Sequence, residues 1–538
     1  MTVALCMFAL WAWGGWISWK GIENGNGWIG VILSEKIRKS LNKKENWWKK
    51  ALLSVAFGYV AMGAKVSDIT DLNYWKTPEQ FDSFVFGLHS RFRSHSWNMF
   101  LLGEARSDVF GGIPFGGEAT QGMERFPYNT LNAENPGISG FGDLYQNINQ
   151  MNLFISRTLH TDVLTESARN YYLGQVYGLR AYYMYQLYRS WGDVVFTEEP
   201  SLGFEVGKLA KAATPAAEIF EQVKKDIESS LSYFGSDYTI KEKKSLWSKA
   251  ATLMLKADVY LWSAHRDGGE GDARTAKNAL VDIQNNISRS NLDLMDTYQG
   301  VFAYDNKGNK EIIFTIHNEL FEYNLWNGNN DLFPQADYLG KFYNADGTLI
   351  NTSVENNFGI MRLMVKLENF KKFLPGDTRR DVTLKDVYNK VENGKLELVG
   401  VYPHKYWGVM NGSTRVRCDD YPIYRYSDLL LMLAEAKVLL GEDPATEINR
   451  VRRRAFGDAY DASTVGFPNQ EVDKRPADAV LQERLFEFML EGKRWYDLRR
   501  FGDSYVLDYT PAEPARLLWP INQGALTNNP LLKQTVGY

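Results

Sequence analysis

The chain has 538 residues, a length that fits roughly three or four ordinary domains or a single helical solenoid whose repeats pack only on their neighbours. Its 61 basic and 65 acidic residues leave a net charge of −4, so neither nucleic acid nor an anionic membrane surface is an expected partner. Only Cys6 and Cys418 are present, which excludes a disulfide framework; a chain this long buries about three quarters of its surface without one. Aromatic residues make up 14 % of the chain, far too many for one site, so most must be core.

Residues 43–64 read as a secretory signal. Lys43, Lys44, Lys49 and Lys50 form a positive region, Ala51–Met62 an apolar one, and Gly63-Ala64 a small-residue cleavage site. Residues 1–42 stand ahead of it and read as an extension of the start. The alternative is a short membrane segment at Val3–Trp19, at the lower edge of the length that spans a bilayer.

From residue 68 the pattern is helical. Thr77 suits an N-cap and Pro78 the first helical position, so a helix is predicted from there to about Arg93. A Gly-rich aromatic loop is predicted over about 95–140. Further helices are predicted at about 141–157, 166–190, 215–233, 246–265 and 273–289, the third with Thr214-Pro215 as a second cap of the same kind.

Residues 290–420 change character. Ile312-Ile313-Phe314-Thr315-Ile316 predicts a strand, and Asn/Gly clusters at 324–330 and 344–347 mark loops. Helices resume at about 424–440, 444–455 and 476–500. Tyr426, Leu429, Leu430, Leu433, Ala436 and Leu440 share one face of the first, and Leu481, Leu485, Phe488, Trp495 and Leu498 one face of the last. Small residues such as Ala434 and Ala436 suit close crossings. The expected fold is mainly α: a tetratricopeptide-like helical-hairpin scaffold with long loops and a mixed, partly β insertion near 290–420.

Several short signatures occur in fixed order. They are Tyr-Pro-Ile-Tyr-Arg-Tyr-Ser-Asp (421–428), Asn-Arg-Val-Arg-Arg-Arg-Ala (449–455), the run Leu481–Gly502 containing Glu-Gly-Lys-Arg-Trp-Tyr-Asp (491–497), Leu-Leu-Trp-Pro-Ile-Asn (517–522) and Asn-Pro-Leu-Leu (529–532). Upstream stand a tyrosine-rich segment running into Trp-Gly-Asp-Val (177–194) and a helix-like segment from Lys249 to Leu261. In this order they resemble the SusD/RagB family of surface nutrient-binding lipoproteins of Gram-negative bacteria, over roughly 68–538. The resemblance implies an N-terminal helical region (68–290) and a C-terminal region (291–538) forming one unit. It also implies a place on the cell-surface side of the outer membrane and a SusC-like TonB-dependent transporter as partner. The family's lipid-anchoring cysteine has no counterpart here, since Ala61–Asp68 contains none.

Arg425, Asp428 and Glu435 could suggest acid/base chemistry, but charges on the half-buried face of a helix are ordinarily paired. Lys493, Arg494, Asp497, Arg499 and Arg500 are expected to pair locally, with Glu491 and Asp497, at i,i+3 and i,i+4. His89, His95, His160, His265, His317 and His404 show no metal-ligand spacing, and no nucleophile elbow or phosphate loop is present. Asp305–Asn309 departs from a calcium loop. Neither a metal nor a cofactor is expected.

Better candidates are aromatics set in polar loops, which have no helical face to bury. Trp97, Asn98, Arg106 and Asp108 fall in the first long loop. Tyr323, Trp326, Phe333 and Tyr338 fall in the insertion. An aromatic face suits the C–H side of a pyranose while Asn, Asp and Arg bind its hydroxyls. The reading is a non-enzymatic protein that binds oligosaccharide and delivers it to the transporter. Its rivals are a peptide-binding RagB-like protein and a helical glycoside hydrolase, which needs two carboxylates about 5–9.5 Å apart.

Overall fold

The periodic segments fold as helices close to their predicted bounds in the computed structural model, which describes residues 74–138, 141–203, 210–355, 359–469 and 472–538. The signal-like segment 43–64 and residues 1–42 lie outside the described residues. Helix α1 (Pro78–Ser94) starts as expected: the Thr77 N–H donates to Gln80 Oε1 at 3.1 Å, and Pro78 occupies the first position, where no N–H is needed. Helices α2 (Asp143–Leu159), α3 (Glu166–Trp191), α4 (Ala216–Phe234), α5 (Lys249–Ser263) and α6 (Gly269–Asn285) follow, each packed on the next as successive antiparallel-type hairpins. Helix α3 is buried on all sides from Gly178 to Leu187, apart from neighbouring polar tips, so it carries no single apolar stripe. A Cβ at Gly178 would stand 2.1 Å from Trp247 Nε1, so only glycine permits that crossing.

The insertion holds strands β1 (Ile312–Ile316), β2 (Leu384–Lys390), β3 (Leu396–Pro403), β4 (Val409–Asn411), β5 (Thr414–Val416) and β6 (Tyr421–Arg425). The pairs β2–β3 and β4–β5 are hairpins, whereas β1 pairs antiparallel with β6 and draws the two ends of the insertion together. Leu339, Ile350, Met361, Val387 and Tyr402 form its own small core. Beyond it come α7 (Tyr426–Leu439), α8 (Ala445–Phe456), α9 (Pro476–Phe488) and α10 (Arg494–Phe501). Residues Thr77–Tyr538 form one compact unit. Among the described residues no helix is long and apolar enough to cross a membrane.

Four details differ from the sequence reading. The loop predicted from 95 begins at Arg106, because Ser96–Phe100 and a widened turn over Leu101–Ala105 remain helical and bury Phe100, Leu101, Leu102 and Ala105. Helix α4 begins after Pro215: Thr214 bridges Val194, and Asp193 Oδ1 accepts the Ala216 N–H at 2.8 Å instead. Helix α6 starts and ends four residues early. The helix predicted over 476–500 is two, broken where Leu490 and Gly492 adopt left-handed φ of 71° and 69°.

Charged side chains fill the seam between these helices. Arg425, fully buried, donates to Glu311 Oε1 (2.6 Å), Glu487 Oε1 (2.5 Å) and both oxygens of Glu491 (2.9 Å each). Arg454 and Arg379 also bind Glu487, Arg379 and Arg452 bind Glu483, and Lys405 binds Glu491 at 2.9 Å. Asp428 pairs with Arg484 and Lys493, and Glu435 with Arg500. The expectation that Arg425, Asp428 and Glu435 are structural therefore agrees with their burial and pairing. The expected local lattice along α10 forms only in part, as Asp497–Arg500 (3.1 Å) and Arg499–Asp503 (3.2 Å). Since α10 is buried from Arg494 to Phe501, its charges face other elements, with Arg494 reaching Asp108 and Arg500 reaching Asp258 and Glu435.

Removing one partner leaves an uncompensated buried charge, which typically costs about 3–5 kcal/mol. Glu487→Gln should therefore lower the unfolding free energy from urea titration by about 3–5 kcal/mol; an unchanged midpoint contradicts the lattice. A pH effect follows at Glu435. Burial alone would raise its pKa, but Arg500 and His265 hold it down to about 2, against an ordinary 4.5. The folded chain thus binds fewer protons than the unfolded one between those values, so this stabilisation is complete above about 4.5 and lost as pH falls toward 2. Glu435→Gln should be less stable than wild type at pH 7, with the gap closing in acid unfolding curves.

Candidate ligand-binding face

The segment after the short helices docks the first loop onto the break between α9 and α10. Gly103 lies against Gly492; a Cβ there would meet the Gly492 carbonyl oxygen at 1.7 Å. Glu104 accepts the N–H groups of Leu490 and Gly492, each at 2.5 Å, and burial raises its pKa. Arg106 donates to the carbonyls of Arg516 and Leu518 and lies between the rings of Trp495 (4.4 Å) and Trp519 (5.2 Å). Asp108 accepts from Arg494 at 2.7 and 3.0 Å. Arg106 and Asp108, candidates in the sequence for ligand contact, are buried and spend their polar atoms on the scaffold.

Trp326 and Phe333 are likewise buried, each 1 % exposed. The assumption that a polar loop cannot bury an aromatic fails here because the loop folds back over a helix. Trp326 has φ of 50° and turns inward against Phe100 (4.6 Å between ring centres), Tyr406 (5.4 Å) and Trp97 (5.5 Å). Phe333 is covered by the Arg417 guanidinium at 3.5 Å. Both are core under the loop. Tyr338 is half-buried in the short helix Ala336–Leu339 beside the insertion's core, with Lys341 over its ring at 5.5 Å.

Besides Tyr338, three of the eight candidates are half-buried. Trp97 is half-buried and stacked on Phe100 at 5.3 Å, Asn98 is half-buried beside it, and Tyr323 is half-buried under the Arg93 guanidinium at 4.9 Å. Arg93 also pairs with Glu322 at 2.5 Å. A backbone bridge from Glu319 to Tyr323 closes a turn whose tip is Phe321, 85 % exposed, with φ of 66°. The sequence reading missed Phe321. Its one signal is the apolar pair Leu320-Phe321 between polar residues in Asn318-Glu319-Leu320-Phe321-Glu322, which does not tell an exposed ring from a buried one. Left-handed backbone at a residue with a Cβ costs roughly 1–2 kcal/mol and persists only where the surroundings hold it.

Here the holding groups are visible. Glu319 accepts from the Tyr304 hydroxyl and from the Leu320 N–H at 3.1 Å. The Tyr304 hydrogen bond, with Leu320, Lys307 and Lys243, holds the Glu319 carboxyl down to about 2. His317 Nδ1 lies 2.8 Å from Asp420. Beside the turn, a hollow of about 270 Å³ opens between α1, the 243–246 turn and residues 315–317. The carboxylates of this face, Glu319, Glu322 and Asp420, are each engaged by a cation, hydroxyl or imidazole. Glu319 and Glu322 are both held low, opposite to the raised pKa a general acid needs. Among the described residues no group of His, Cys, Asp and Glu is arranged to hold a metal ion.

A sequence profile of the SusD family matches residues 394–516. The solved structure of Bacteroides fragilis NanU is 48 % identical, with 88 % of this chain and 99 % of that one covered at a TM-score of 0.83. A SusD superfamily protein from Bacteroides vulgatus is 46 % identical, covering 86 % of this chain and all of the other at 0.81. The chain belongs to the SusD family. Surface glycan-binding protein A from Bacteroides thetaiotaomicron, solved in complex with laminarihexaose, shares the fold at 19 % identity and a TM-score of 0.64, over 85 % of this chain and 99 % of its own. The stretch matched by the SusD profile contains Arg425, Arg454, Glu487, Glu491 and Arg494, five members of the buried lattice.

Trp326→Ala should destabilise the protein by about 3–5 kcal/mol, as for a buried tryptophan truncated to alanine. Thermal and urea unfolding measure it. A stable variant that has lost only ligand binding would return Trp326 to the surface.

Proposed function

We propose that this SusD-family chain is a non-enzymatic glycan-binding protein on the cell-surface side of the outer membrane. It captures oligosaccharide and hands it to a SusC-like TonB-dependent transporter. The observation that carries the reading is the Phe321–Tyr323 turn: an almost fully exposed ring held on strained backbone, followed by half-buried Tyr323 and by Trp326, which packs on half-buried Trp97. An exposed phenyl ring presents an apolar plane to the C–H face of a pyranose, while Asn98 and the exposed Asn324 and Asn327 offer amides to its hydroxyls. Glu319 and Glu322 are held below the usual carboxylate range by their hydrogen-bond partners, which favours binding over hydrolysis. Support for a glycan also comes from the fold shared with a surface glycan-binding protein solved with laminarihexaose.

The test is a screen of the full chain against plant and host glycans and against peptides, with product analysis on every hit. Phe321→Ala and Tyr323→Ala should leave the melting temperature unchanged and weaken glycan binding by about ten- to hundredfold. That range follows from roughly 1–3 kcal/mol of apolar face at about 25 cal/mol per Å². Trp97→Ala should lower both affinity and stability, since its ring is shared between the surface and Phe100. Full-strength glycan binding by the Phe321 and Tyr323 variants, or binding of peptides alone, would overturn the assignment.

A further inference from the structure

The glycan face does not end at the Phe321 turn. Helix α1 exposes or half-exposes Asp82, Phe86, Ser90 and Arg93, at spacings of four, four and three, which places them along one side of the helix. Two hollows open along that side. The first, of about 270 Å³, reaches Arg93, His317 and Glu322, and so abuts the turn. The second, of about 690 Å³, is lined by Tyr171, Tyr172 and Tyr233 with Asp82, Asn170 and Lys241. Phe86 and Leu246 line both, so the hollows share a wall and form one track. From Asp82 to Arg93 the helix rises about 16 Å.

Like the near hollow, the far one combines aromatic rings with polar side chains. Its three tyrosines are half-buried, each with part of the ring open. Tyr233 lies parallel to Tyr177, 11° apart with ring centres at 5.7 Å, which fixes its plane. Tyr172 donates its hydroxyl to Asp82 Oδ1 at 3.1 Å, and Lys241 stands 4.0 Å over the Tyr171 ring. Asp82, Asp237 and Lys241 line the same hollow, so it carries charges of both signs. Open phenol rings without a deep apolar slot, surrounded by hydroxyl, amide and carboxylate groups, suit a neutral sugar.

We infer that Tyr171, Tyr172 and Tyr233 form a second glycan subsite, joined along α1 to the Phe321–Tyr323 subsite, so that the ligand is a linear neutral oligosaccharide longer than a disaccharide. This rests on the glycan-binding reading above. A chain spanning both hollows gains stacking at each end, and its affinity rises with length until the far hollow is filled.

The test is calorimetric titration of the full chain with laminari-, malto- and manno-oligosaccharides of two to eight units. Three variants accompany wild type: Tyr171→Ala, Tyr172→Ala, and Asn170→Trp, which fills the far hollow without removing a packed ring. Melting temperatures identify any variant that fails to fold. The expected result is a series whose affinity rises at least tenfold from two units to the longer members. Asn170→Trp and the tyrosine variants should abolish that gain while leaving two-unit affinity unchanged. Binding that is independent of length, or a length gain that survives Asn170→Trp, overturns the second subsite and leaves the glycan reading standing. No binding of any series by wild type overturns the second subsite as a site for these neutral glycans. If the broader screen also finds no glycan, the reading beneath it falls as well.

Discussion

Arg425 is the residue on which the rest of the architecture converges. It closes strand β6, and its guanidinium is shared by Glu311 ahead of β1, Glu487 of α9 and Glu491 in the break before α10. Three elements far apart in sequence are thereby fixed to one planar group. Burial of so many charges is not in itself a gain over apolar packing. What makes it tolerable is charge balance: Arg379, Lys405 and Arg454 offset the carboxylates, and Glu487 is held well below the usual carboxylate range.

The lattice reaches the surface through the first loop. Glu104 and Asp108 plug into the α9–α10 break, and Gly103 allows the backbones to touch. That docking positions Trp97 and Phe100, on which Trp326 rests, and Trp326 in turn underlies the 317–327 turn. Phe321, Trp326 and Asn327 all adopt left-handed backbone within seven residues. Such strain is maintained by surroundings that leave no alternative, and here they are an aromatic floor and the hydrogen-bonded Glu319. A rigid platform loses little entropy when a ligand binds.

Much of the scaffold was legible in the sequence because helical periodicity and caps are local signals. Thr77-Pro78, the apolar Ile312–Ile316 run and the helical periods of α7 and α9 all report on nearest neighbours, although α7 and the strand prove buried on every side. The break at Leu490–Gly492 was not legible, since a lone Gly in an apolar period is compatible with a continuing helix. The partners of Arg494 and Arg500 were missed for a related reason: spacing shows which charges can meet along one helix, not which face another element. The site was read least well. Arg106, Asp108, Trp326 and Phe333 looked like loop residues free to meet solvent, but each is buried by tertiary contacts no local rule encodes. Phe321 went unnoticed because its exposure depends on a backbone bridge from Glu319 to Tyr323 and a positive φ.

The central claim is that a buried ionic scaffold presents the Phe321–Tyr323 turn as a sugar platform. A crystal structure of the full chain with a bound oligosaccharide from the glycan screen tests it most directly. The account predicts a sugar ring lying flat on Phe321, with Tyr323 and Asn98 in contact and the Glu319 hydrogen bonds unchanged. A sugar found only elsewhere, such as beside Tyr338 in the insertion, with Phe321 bare, would contradict it.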